Sequence, residues 1–277
     1  MPKQTTPSNV TSLRARLRNV ENDETARNRI ENLLALVVVS QMVPSAAIKG
    51  GSALLLRLGE AARGTKDIDV ARNTSEPEFL RAFETNLHAG WAGFRGTLKP
   101  KSSPAPGDLD PAYAAQRFSV KLTYNGQHWK SVNLDLAHNE IGIADHIAYA
   151  LAPELAAIFE SLGLPTPTAA PVLEAEYQVA QKLHAVSLPG NDRAHDLIDL
   201  QLYDRHCELD TGTLKPLCRR LFAYRRQQEW PPTVVQQPGW EEKYVQQSKA
   251  LGSGLQVLGL NDAIEWCNEF INRIEEP

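Results

Sequence analysis

The stretch Lys66-Asp67-Ile68-Asp69-Val70 constrains this chain more than any other. Polar and apolar residues alternate there, the period of a strand with one wet and one buried face, so Asp67 and Asp69 share one side while Ile68 and Val70 share the other. Two carboxylates held that close repel each other unless a proton, a basic side chain or a cation compensates. Oxygen-only ligands suit Mg²⁺ or Mn²⁺, which take one or two carboxylates and fill their shell with waters and phosphate oxygens.

The segment just upstream supplies what a phosphate needs. After Pro44, the apolar run Ser45–Ile48 leads into Lys49-Gly50-Gly51-Ser52, and residues 53–62 resume helical character. Glycine lets a triphosphate approach the backbone, and the N–H groups of a helix start, with the Ser52 hydroxyl, favour negative charge. Gly50, Gly51 and Ser52 are therefore candidate nucleotide contacts, Thr65 just before the aspartate pair is a further one, and the fourteen residues between Ser52 and Asp67 suit a short helix and a loop.

Residues 117–137 alternate on two arms around Asn125-Gly126, a hairpin signature. On the second arm Asp135 faces away from Val132, Leu134 and Leu136. A third carboxylate beside Asp67 and Asp69 would complete a site for two metals, one activating an attacking hydroxyl and one steadying a leaving pyrophosphate.

Elsewhere the pattern is helical. Ile30, Leu33, Leu34 and Val37–Val39 recur at helical spacing within 24–40, and a second helix is expected after a Ser75 cap with Glu78 three residues on and a stop at Gly90. Residues 99–112 read as an exposed proline- and serine-rich loop. From about residue 150 the chain reads as helical, broken at 163–171, the expected lobe boundary.

A net charge of −4, from 29 basic and 33 acidic residues, gives no global attraction to nucleic acid or an anionic membrane. One local candidate is 218–230, where four arginines interleave with Phe222, Tyr224 and Trp230; it reads first as a solvated helix face and second as a phosphate- and base-binding surface. Three unpaired-looking cysteines argue against a disulfide framework, and no apolar run reaches signal-peptide or membrane-span length, so a cytoplasmic protein with no membrane partner is expected.

The ordered set Lys49-Gly50-Gly51-Ser52, Arg63–Val70 and residues 131–137, followed by Lys182 and then Arg193, His195, Asp196 and Asp199, closely resembles the AbiEii/AbiGii branch of nucleotidyltransferases, which includes abortive-infection (phage-defence) toxins and the MenT toxins. The resemblance implies an α/β (α+β) nucleotidyltransferase core with a small mixed β-sheet flanked by helices over residues 1–165, and a helical lobe over 166–277 that closes the nucleotide cleft. It implies transfer of NMP from an NTP, with Mg²⁺ or Mn²⁺, to an RNA such as a tRNA 3′ end or to a protein, and a toxin role opposed by a cognate antitoxin. Asp67, Asp69 and Asp135 would be metal ligands, Asp135 also the base, and Lys182 and Asp196 catalytic. Arg193 and Asp199 would join the nucleotide contacts, with Asp199 equally readable as a helix-capping or Arg193-paired carboxylate. His195 stands where that branch often carries a lysine or arginine, which removes one fixed positive charge near the phosphates and is expected to weaken nucleotide affinity or alter nucleotide choice unless His184 or Arg193 compensates. The alternatives are an NTP-dependent kinase on the same fold and a non-catalytic nucleotide- or partner-binding module.

Overall fold

The computed structural model describes residues 5–102, 115–251 and 254–276, and the chain divides into two compact units, 1–60 with 64–173 and 61–63 with 174–277. The first unit holds a seven-stranded mixed sheet flanked by helices. Its strands are β1 (Ala46–Lys49), β2 (Asp67–Arg72), β3 (Phe94–Pro100), β4 (Gln116–Tyr124), β5 (Gln127–Ala137), β6 (Ile147–Ala150) and β7 (Ala170–Leu173), in the spatial order β3-β4-β5-β2-β1-β7-β6. β2 runs parallel to β5 and β1 parallel to β7, while the other neighbours are antiparallel.

The β4–β5 hairpin turns where its sequence requires. Asn125 (φ +45°) and Gly126 (φ +80°) both adopt left-handed conformations, the pair a two-residue turn needs to match strand twist. Alternation then separates two faces: Phe118, Val120, Leu122, Val132, Leu134 and Leu136 are buried, as are Ile68 and Val70 of β2.

Among the described residues this unit has the α-helices α1 (Val10–Val20), α2 (Glu24–Ser40), α3 (Gly50–Leu58), α4 (Glu76–Ala89) and α5 (Pro153–Ser161). In α2 the expected stripe widens until every residue from Leu34 to Ser40 is buried, so its C-terminal half is core on all sides. α1 was not expected from sequence, although a reciprocal Asn9–Ser12 capping box starts it and Leu13 and Leu17 anchor it. α4 ends at Gly90 as expected; Ser75 occupies its N-cap position, but its side chain makes no capping bond, and Pro77 in the first turn sets the start instead.

Two further expectations differ. Lys99 and Pro100 continue β3, and 103–112 of the expected loop lie outside the described residues. The region after 150, read as helical, contains β7, whose four residues include Pro171, a signal that argues against a strand when read alone. The compact units divide after Leu173, so the proline-rich break at 163–171 runs into the sheet rather than out of it.

The second unit packs α6 (Ala175–Ser187), α7 (Ala194–His206), α8 (Thr211–Arg225), α9 (Trp240–Leu251) and α10 (Leu260–Glu275) around Tyr203, Phe222, Trp240 and Tyr244. The arginine–aromatic stretch is largely spoken for: Phe222 and Trp230 pack edge to face, Trp230 Nε1 donates to Glu275 (2.8 Å), and Arg219 pairs with the same carboxylate. Among its rings only Tyr224 is largely exposed. Among the described residues no helix is long and apolar enough to cross a membrane.

The alternation on β5 predicts opposite outcomes for neighbouring substitutions. Leu134→Ala, fully buried, should lower stability by about 2–5 kcal/mol, whereas Asn133→Ala, exposed next to it, should stay within about 1 kcal/mol. Urea unfolding of the two variants checks both.

Candidate active site

Strand register gathers the acidic residues. Lys49 of β1 lies opposite Asp69 of β2, Asp69 opposite Asp135 of β5, and Asp135 opposite Arg117 of β4. Opposed residues share a face, and neighbouring strands lie about 4.8 Å apart, so a cation, two carboxylates and a cation stand in one row. A second row sets Asp67 opposite Asn133, Asn133 opposite Ser119 and Ser119 opposite Lys99. All three predicted aspartates thus lie on the same face of two adjacent strands.

Their partners hold them apart. Asn133 donates through Nδ2 to Asp67 Oδ1 (2.8 Å) and accepts at its Oδ1 from Lys101 Nζ (2.5 Å), while Arg117 Nε lies 3.4 Å from Asp135 Oδ1. Burial raises the proton affinity of Asp135; Arg117 opposes that, Asp67 adds to it, and the carboxyl ends above its ordinary range.

The glycine turn is shaped around Asp69. Gly50 has φ +65°, and a Cβ placed on it would fall 2.3 Å from Asp69 Oδ2, so any side chain there would both strain the backbone and displace the carboxylate. Ser52 is buried; its Oγ donates to the Lys49 carbonyl (2.9 Å) and accepts from the Asp69 N–H (3.3 Å), tying the turn to the strand. Gly51 lies buried beside it, Thr65 Oγ1 donates to the Asp67 carbonyl (3.3 Å), and no side chain caps α3 at Lys49.

Among the described residues no three acidic, histidine or cysteine side chains converge as a ready-made metal cage. An oxygen-only set of paired carboxylates beside a side-chain-free backbone fits a cation that keeps waters and takes phosphate oxygens, the habit of Mg²⁺ or Mn²⁺, better than an all-protein calcium or zinc site.

Within the helical unit the other predicted residues form a buried cluster of their own. Lys182 Nζ donates to Asp196 Oδ1 (2.7 Å) and Asp199 Oδ2 (2.6 Å), with both carboxylates fully buried. Arg63, which the sequence reading did not single out, forks onto Asp199 through Nε (2.6 Å) and Nη2 (2.9 Å). Arg193 Nε donates to Asp196 Oδ2 (2.6 Å) with 44% of its side chain exposed. Burial alone would neutralise these groups, but mutual attraction wins: it depresses both aspartates and raises Lys182. Burial lowers His195, and His184 is engaged by Arg225 and Phe222. The cations bonded to Asp196 are thus Lys182 and Arg193.

A family model described as "Nucleotidyl transferase AbiEii toxin, Type IV TA system" matches residues 33–266. Among solved structures, MenT4, a nucleotidyltransferase toxin from Mycobacterium tuberculosis, is similar at TM-score 0.56 and 15% identity, covering 96% of this chain and 90% of that one. At that identity the likeness is one of fold. A provisionally assigned nucleotidyltransferase from H. pylori superposes at TM-score 0.48 and 17% identity, covering 91% and 95%. None of the curated proteins matches the chain.

The buried cluster makes two predictions. Lys182→Ala, which leaves two buried carboxylates short of a partner, should cost about 3–5 kcal/mol, and Arg193→Ala, at the exposed edge, much less. The depressed aspartates stabilise the fold above their unfolded pKa of about 3.9, an effect lost as pH falls below it; the raised Lys182 stabilises below about 10.4, an effect lost as pH rises further. Urea midpoints across pH should therefore fall at both ends, and Lys182→Ala should flatten the alkaline fall.

Proposed function

The chain belongs to the AbiEii nucleotidyl transferase toxin family, and from that membership we propose that it moves a nucleoside monophosphate from an NTP to an acceptor hydroxyl and releases pyrophosphate. The observation that carries this reading is the row Asp69–Asp135 on adjacent strands, with Gly50 shaped to let one carboxylate lie against the phosphate-binding turn. Asp67 and Asp69 would hold the divalent cation, with Asp135 as a third ligand or the base. When bound, that cation supplies charge neutralisation at the α-phosphate and the leaving pyrophosphate.

This chain's own residues do the rest. The backbone at Gly50–Ser52 holds the triphosphate at the start of α3, where the helix dipole favours negative charge. The acceptor oxygen attacks the α-phosphorus, the bond to the bridging oxygen breaks, and the hydroxyl proton passes to Asp135, whose burial favours accepting it. Within the helical unit Arg193, with 44% of its side chain exposed, is proposed as a phosphate-binding cation. Lys182 and Asp196 serve that role by fixing its guanidinium, and Asp199 by anchoring Lys182. The acceptor is proposed to be RNA, such as a tRNA 3′ end, or a protein side chain; the setting is the cytoplasm, where NTP and both acceptors occur, and a cognate antitoxin restrains the activity.

The test gives purified protein Mg²⁺ or Mn²⁺, total RNA and cell protein, with α-³²P-labelled NTPs in one series and γ-³²P-ATP in another. Label from the α position is expected, lost to background with EDTA or Asp69→Asn, and reduced about a hundredfold by Gly50→Ala through the displaced carboxylate. Label from the γ position alone would make the protein a kinase; no label in either series would leave a binding module.

A further inference from the structure

One face of β3, β4 and β5 carries a charge pattern that the reaction above does not use. Arg95, Lys99, Lys101, Arg117 and Lys121 all stand exposed on or just beyond β3 and β4. Neither strand contains an acidic residue, although the whole chain is net −4. Register carries the face across the sheet: Thr97 lies opposite Lys121 and Lys121 opposite Ser131, while the next row runs Lys99, Ser119, Asn133 and Asp67. At its near end Lys101 bonds Asn133 and Arg117 pairs with Asp135, so the basic face runs directly into the carboxylates.

We propose that this face is the track that leads the 3′ end of a single-stranded RNA to Asp67, Asp69 and Asp135. Its length excludes a lone triphosphate as the intended ligand, since Arg95 to Lys101 spans about 20 Å of extended chain. Its chemistry is that of a polyanion site with hydroxyls between the cations, and an RNA terminus brings a continuous run of phosphates and an acceptor hydroxyl in one molecule. The aromatic side chains of these strands, Phe94, Phe118, Tyr124 and Trp129, are all buried on the other side. The track therefore grips phosphates rather than stacking bases, and its affinity should be insensitive to sequence and strongly dependent on salt. The proposal rests on the nucleotidyl-transfer reading for its purpose but not for its binding.

Fluorescence anisotropy of a short labelled single-stranded RNA, without NTP, across a KCl series, tests it. Wild-type protein should bind with log K falling against log salt at a slope of about −3, and Lys99→Ala/Lys121→Ala should weaken binding about tenfold and flatten the slope by about 1.4. Equal urea midpoints would show that the double variant folds. No binding by wild type, unchanged binding by the variant, or competition by poly-glutamate as effective as by unlabelled RNA would overturn the track. RNA binding at this face with no α-label transferred would keep the track and remove the transfer reading; α-label transferred to RNA undiminished in the double variant would remove the track and keep transfer.

Discussion

The parallel pairing of β2 with β5 is the constraint on which the candidate site depends. It sets Asp69 against Asp135 and Asp67 against Asn133, while Ile68, Val70, Leu134 and Leu136 fill the opposite face. Because side chains alternate, a slip of one residue in either strand would send its carboxylates into the core and its apolar residues into water. Burial of the apolar face thus enforces a clustering of negative charge that electrostatics alone would resist. The fold places the acids; the acids do not help the fold.

The two groups of ionisable residues solve charge repulsion in opposite ways. In the helical unit, Arg63, Lys182 and Arg193 surround Asp196 and Asp199 so completely that both carboxylates are buried and ionised. Such a network holds geometry and leaves little freedom for exchange. On the sheet the compensation is looser. Arg117 sits 3.4 Å from Asp135 with 54% of its side chain exposed, and Asp67 is met by an amide rather than a cation. Carboxylates held this loosely and partly in reach of solvent are the ones that can still take up a divalent cation and its phosphates.

The site's strands were legible because their signals are local. Alternation fixes the faces of Asp67, Asp69 and Asp135, and Asn125-Gly126 fixes the hairpin, each within a few residues. Gly50 was recognisable as a turn, but the reason no other residue suits it, the Asp69 carboxylate against its α-carbon, is a contact across nineteen positions. Arg63 heads a motif legible in the sequence but carried no role there for the same reason: only the fold brings it to Asp199. β7 was hidden by Pro171 and its four-residue length, since a short strand held between β1 and β6 needs no amphipathic period of its own.

Charge shows the same limit most clearly. Arg219, Arg220, Arg225 and Arg226 are conspicuous in one dimension, yet Arg219 goes to Glu275 and Arg225 to His184, and the neighbouring Phe222 and Trp230 pack on each other. The cations of β3 and β4 form no run at all. They sit at alternate positions on strands separated by residues outside the described chain, and antiparallel pairing is what aligns Thr97 with Lys121 and Lys99 with Ser119. A sheet adds charge across strands, a sum that no window along the sequence performs, whereas a helix spreads a basic run around its axis. Four consecutive-looking arginines therefore say less about a polyanion than two lysines and two arginines scattered over two strands.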